Sequence, residues 1–217
     1  MSDRYIVHGA RGTGSVMVEA ALTLLALRYE VVERGILREA ERDADLVKVN
    51  PMRQVPALVL PSGELMTESA AILIWLADSH PQARLSPSMA AAARPAFLRW
   101  MAFVSSAIYA LCWVLDDPSR LIDGKDEQAA IRARTTARIC ECWEIMDAQV
   151  RPGRYILGDD LSVLDLYVTV VSRWSQRRRR FYQVAPKMAE VVRRVDADPR
   201  LQGLWAERFP FTEGWEG

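Results

Sequence analysis

Two patterns divide the chain. Up to about residue 79, apolar residues come in short runs broken by Gly and Pro; beyond it they recur at helical spacing over long stretches. Residues 5–8, Tyr-Ile-Val-His, are aromatic and β-branched and predict a strand. Ser15 is the expected N-cap of the helix that follows, in which Val18, Ala21, Leu22 and Leu25 form one buried stripe. Residues 29–32 predict a second strand, and strand–helix–strand over so short a span is a βαβ unit with a parallel pair. The charged residues 36–49 predict only weak helix. Residues 57–60 and 64–66 flank Pro61-Ser62-Gly63, a turn signal, and predict an antiparallel hairpin. A helix over 68–78, with Ala71, Ile72, Trp75 and Leu76 inward, closes this half.

Residues 80–89, with Pro81 and Pro87, break any continuous helix and read as a linker. Residues 90–217 predict an all-helical domain. One long helix spans 90–116, with Pro95 in its tolerant first turns, and another spans 126–150. A third starts at Ser162, with Asp165 reaching back to the cap, and short helices follow near 186–195 and 199–207. The expected organisation is α/β plus all-α: a domain of residues 1–79, a linker of 80–89 and a helical domain of 90–217.

Composition narrows the chemistry. The 217 residues carry 28 Lys plus Arg and 28 Asp plus Glu, so the net charge is zero, which argues against a nucleic-acid partner. The run Arg177 to Arg180 is then expected to be a solvated helix end. Three cysteines without a CxxC pair and two distant histidines predict reduced thiols and no metal site. No uninterrupted apolar run reaches the ~18 residues of a membrane span, and the N-terminus lacks a signal-peptide core. A cytoplasmic protein with no membrane partner is expected.

A βαβ unit followed by a ββα unit is the thioredoxin-like arrangement, in which a cis proline opens the third strand. Val55-Pro56 stands there, and the Val55 backbone would pair with an extended peptide. The loop after the first strand, Gly9-Ala-Arg-Gly-Thr-Gly-Ser15, holds no cysteine, which excludes disulfide exchange from it. It is not a G-x-G-x-x-G loop and no lysine follows, so a nucleotide site is not expected. Its hydroxyls are Thr13 and Ser15.

Asn50-Pro-Met-Arg-Gln-Val-Pro-Ala-Leu58 followed by Leu65-Met-Thr-Glu-Ser-Ala-Ala-Ile72 resembles the glutathione-binding half of cytosolic glutathione transferases of bacterial type. Gly158-Asp-Asp-Leu-Ser-Val-Leu-Asp165 resembles the helix-capping segment of the same family. The resemblance implies a transferase that adds the glutathione thiolate to an electrophilic, largely apolar small molecule, acting as a homodimer without metal. Ser69, at a helix N-terminus, would hold the glutamyl carboxylate; Glu68 would face the ammonium, and Gln54 would reach the glycyl carboxylate. A hydroxyl would activate the thiol, with Thr13 favoured and Ser15 the alternative, and Arg11 would assist electrostatically. Phe103, Ser106, Tyr109 and Trp113 would line the hydrophobic-substrate site, with Trp174 a weaker candidate. The rival readings are another glutathione-dependent reaction and a non-catalytic binding protein on the same fold.

Overall fold

The computed structural model describes residues 4–36, 43–174 and 177–210. The chain divides into two compact units, Met1–Met89 with Asp196–Phe211, and Ala90–Val195 with Thr212–Gly217.

In the first unit the order is β1 (Tyr5–Gly9), α1 (Ser15–Leu24), β2 (Tyr29–Glu33), α2 (Ala44–Val49), β3 (Ala57–Val59), β4 (Leu65–Met66) and α3 (Ser69–Ser79). The sheet runs β2-β1-β3-β4, with β1 and β2 parallel and the other pairs antiparallel. This is the thioredoxin-like βαβ–ββα arrangement. Helices α1 and α3 pack together, burying Val18, Ala21 and Leu22 with Ile72, Leu73 and Leu76. Of the charged stretch 36–49, residues 37–42 lie outside the described residues, and α2 begins only at Ala44 behind an Asp43 cap.

Three expectations for this unit change. Gly14, not Ser15, occupies the N-cap of α1, and Ser15 is its first helical residue. Residues 15 to 22 of α1 are all buried, where a single stripe was expected. The reason lies in the third change: the helix α10 (Gln202–Arg208) packs on α1 and belongs to this unit, not to a helical domain running to 217. The linker residues also stay with this unit, forming a 3₁₀ turn at Pro81–Ala83 and burying Leu85.

The second unit holds α4 (Arg94–Phe103), a π-helical stretch (Val104–Tyr109), α5 (Ala110–Asp116), α6 (Lys125–Gln149), α7 (Val163–Val171), α8 (Arg177–Val184) and α9 (Pro186–Asp196). By length and composition alone, Arg94–Asp116 is a helical run long enough and apolar enough to cross a bilayer. It also carries Arg94 and Arg99 and buries Phe97, Met101, Val104, Ile108, Cys112 and Leu115 at three- and four-residue spacing, the stripe of a core helix. Helix α7 is buried throughout and opens with a capping box between Ser162 and Asp165. Asp165 accepts from the Ser162 N–H at 2.8 Å, the Ser162 hydroxyl at 2.7 Å and the Ile156 N–H at 2.9 Å. The arginine run is not wholly solvated. Arg178 is fully buried, donating to the Thr169 carbonyl at 2.7 Å, because α8 also buries Phe181 edge-on against Trp143.

Candidate active site

The strand register gathers three segments at one end of the first unit's sheet. His8 pairs with Ala57, which sets the loop after β1 beside Val55-Pro56 at the start of β3. Leu58 pairs with Met66, which delivers the end of β4, and so Glu68 and Ser69, to the same end.

The Val55-Pro56 bond is cis. The β1–β3 ladder runs from Ile6–Val59 to His8–Ala57, leaving Val55 just beyond it. Asn50, which is buried, clamps the approach: its amide donates to the Gln54 carbonyl at 2.9 Å and its side-chain oxygen accepts from the Met52 N–H at 3.0 Å. Gln54 itself is exposed.

Ser69 is the first residue of α3 and is buried, whereas Glu68 at the N-cap is exposed. Glu68 sits at φ 64°, a left-handed conformation that a non-glycine residue adopts only where the surroundings hold it there. The kink turns the chain from β4 into a helix whose first N–H groups have no intrahelical partner.

In the loop after β1, the two hydroxyls lie 3.1 Å apart. Thr13 is partly exposed, and its hydroxyl donates to the Ala10 carbonyl at 2.7 Å. Ser15 is fully buried: its oxygen accepts from the Ala10 N–H at 3.1 Å and stands 3.0 Å from a Glu19 carboxylate oxygen. Ser15 is thus the less accessible of the two hydroxyls, already engaged on both sides. Arg11 is exposed. Tyr5 is buried, and burial pushes its hydroxyl above the ordinary range.

Two charged residues that the sequence reading passed over support this loop. Glu19 is 1% exposed, and burial raises its carboxyl while Arg208 and Ser15 oppose the rise. Arg208, 189 residues further on, donates through Nε to Glu19 Oε2 at 2.8 Å and also pairs with Glu33. Its carbonyl accepts the Gly12 N–H at 2.9 Å. An acid inside the apolar run from Val16 to Leu22 was a legible signal for Glu19; no local pattern pointed to Arg208. His8, next to the loop, is buried and accepts from Arg34 at its Nδ1, and burial lowers its pKa.

Of the four second-unit candidates, Phe103 and Tyr109 are half-buried and Ser106 and Trp113 are exposed. Tyr109 packs against Trp174 at 4.8 Å and Tyr167 at 6.2 Å, and Phe103 meets Trp100 edge-on. Ser106 donates back to the Ala102 carbonyl, as a helical serine does. Trp113 is exposed, with Arg120 stacked over its ring. A π-helical stretch, Val104–Tyr109, lies between Phe103 and Ala110.

The family model of the glutathione S-transferase N-terminal domain matches residues 15–79. An uncharacterized GST-like protein of Escherichia coli, YncG, is 28% identical over 197 residues, 90% of this chain and 94% of its own. The glutathione S-transferase GstA of Escherichia coli is 24% identical over 76% of this chain and 79% of its own. A glutathione transferase homologue from Sulfitobacter, solved with bound glutathione, superposes with a TM-score of 0.82 at 24% identity, covering 94% of this chain and 97% of that one. Its fold is this fold across both units. Residues 15–79 thus carry the glutathione S-transferase N-terminal domain, and the chain as a whole is similar in sequence and fold to bacterial GST-like proteins.

Proposed function

We propose that the protein is a glutathione transferase that activates the glutathione thiol with the Thr13 hydroxyl. The observation that carries this reading is the convergence of the Thr13 loop, the cis Val55-Pro56 segment and the Glu68–Ser69 turn at one end of a single sheet. The Val55 backbone pairs with the cysteinyl part of glutathione as a strand would. Ser69 and the N-terminus of α3 hold the glutamyl carboxylate, Glu68 faces the ammonium, and Gln54 reaches the glycyl carboxylate.

The chemistry requires the thiolate. A free thiol titrates near ~8.5, and lowering it by about two units takes about 2.7 kcal/mol. A hydrogen bond to a charged acceptor supplies about 1.5–3 kcal/mol and a helix N-terminus about 0.3–1 kcal/mol, so one hydroxyl and the start of α1 suffice. The thiolate forms a C–S bond to an electrophilic carbon, and the displaced electron pair leaves with the departing group. The second substrate is an electrophilic, largely apolar small molecule. A cytoplasmic homodimer completes the reading.

One observation favours a non-catalytic glutathione-binding protein: the Thr13 proton is already engaged by the Ala10 carbonyl. Titrating the thiolate absorbance of bound glutathione separates the two readings. The transferase reading expects a thiol pKa of about 6–7, raised by about one to two units in Thr13→Val with affinity little changed. An ordinary thiol pKa in the unaltered protein rejects it.

A further inference from the structure

Two hydroxyls compete for one carbonyl beside the candidate thiol site. Thr13 Oγ1 lies 2.7 Å from the Ala10 oxygen, and Ser15 Oγ lies 3.1 Å from that same oxygen. Each hydroxyl has one proton to give. Thr13 cannot serve a thiolate without leaving the carbonyl, which would then keep, Ser15 apart, only the long contact from the Thr13 N–H at 3.4 Å, and this loss opposes the move.

Ser15 is placed to replace it. The Ala10 N–H fixes the Ser15 oxygen at 3.1 Å, so a rotation of its O–H alone changes its acceptor. The acceptors within reach are the Ala10 carbonyl at 3.1 Å, Glu19 Oε1 at 3.0 Å and Thr13 Oγ1 at 3.1 Å, and the first two are the ones the exchange uses. Glu19 does not depend on Ser15, because Arg208 reaches Oε2 at 2.8 Å and Oε1 at 3.4 Å. The packing leaves no other freedom: a Cβ at Gly9 would stand 2.4 Å from Ser15 Oγ.

We propose that Ser15, Glu19 and Arg208 are positioning residues that act as an exchange relay for Thr13. As Thr13 turns its O–H from Ala10 to the thiolate, Ser15 turns its own from Glu19 to Ala10, and Arg208 keeps Glu19 paired. No proton changes owner; three hydrogen bonds exchange partners. The inference rests on the reading of Thr13 as the thiol donor, and it makes the end of the chain part of the site.

The experiment titrates glutathione bound to the whole protein, with affinity by calorimetry and the thermal midpoint recorded for each variant. Thr13→Val tests the donor. Ser15→Ala removes the replacement donor and no charge; the relay expects a bound thiol pKa higher by about half to one unit, a three- to tenfold loss of thiolate below it. Affinity should change less than threefold. Glu19→Gln weakens the competing acceptor, and the relay expects a thiol pKa level with or below the unaltered protein. Both variants lower the thermal midpoint, so opposite behaviour of the thiol separates a relay from a structural role. Thiol values unmoved in both variants, or raised in both, overturn the relay. Should Glu19→Gln not fold, Ser15→Ala combined with Thr13→Val decides: the relay expects no shift beyond that of Thr13→Val, and an additive shift overturns it. A Thr13→Val variant with an unmoved thiol overturns the donor reading and the relay together. Thr13→Val raising the thiol pKa while Ser15→Ala leaves it unmoved overturns the relay alone.

Discussion

A glycine and a serine set the tolerance of the loop after β1. An added Cβ at Gly9 would lie 2.4 Å from both the Cβ and the Oγ of Ser15, so Gly9→Ala must push the start of α1 away from the sheet. The expected loss is about 1–3 kcal/mol of stability, the usual penalty of overpacking, read by urea denaturation. At the other end of the site, Ser69→Ala is expected to raise the dissociation constant for glutathione roughly three- to thirty-fold, one hydrogen bond to a charged group with some replacement by water. Calorimetry giving an unchanged constant would remove Ser69 from the site. These two positions also show how far single residues were legible. Ser69 and Glu68 announced a helix start through their place before an apolar run. Thr13 was favoured over Ser15 as a loop residue against an expected N-cap, but the burial that separates them was not legible, because it depends on what lies over the loop.

Among the elements, α7 is the most self-explanatory. Its Ser-x-x-Asp start was readable from spacing, since a cap is a local interaction between residues three apart. Complete burial pushes the Asp165 carboxyl up to about 6, against the pull of its three donors. In the unfolded chain the same group titrates near ~3.9. Between those values the folded protein holds more of this proton, so this residue makes stability fall as pH rises from about 4 to about 6, by at most about 1.4 kcal/mol per pH unit. Urea melts of the unaltered protein and Asp165→Asn at several pH values across that window should differ by this slope. A slope of the opposite sign would show that the donors outweigh burial. The long helix expected over 90–116, which starts only at Arg94, behaved differently. Its apolar content was plain, but the π-helical stretch Val104–Tyr109 was not, because nothing in Val-Ser-Ser-Ala-Ile-Tyr forbids an ordinary α-helix.

At the scale of the molecule, the least legible fact is that α10 belongs with the first unit. Sequence separation hides such a contact: no periodicity links Arg208 to Glu19. Trp205 is 1% exposed in that helix. Trp205→Ala is expected to cost about 3–5 kcal/mol. Because α10 packs on α1, faster amide hydrogen exchange should appear in α1, and its absence there would separate the helix from the unit. The return of the C-terminal helix has a further consequence, for synthesis. Residues up to Met89 leave the ribosome first, yet residues 196–211 complete their unit. At ~5–20 residues per second, the roughly 120 residues between positions 89 and 208 take about 6–24 s to be made. Throughout that interval the nascent first unit carries Glu19 without its cation and the Gly12 N–H without its acceptor. The unit begun first is thus finished only after the second, and a chain cut short before Arg208 leaves the loop after β1 without its backbone acceptor and Glu19 without its cation.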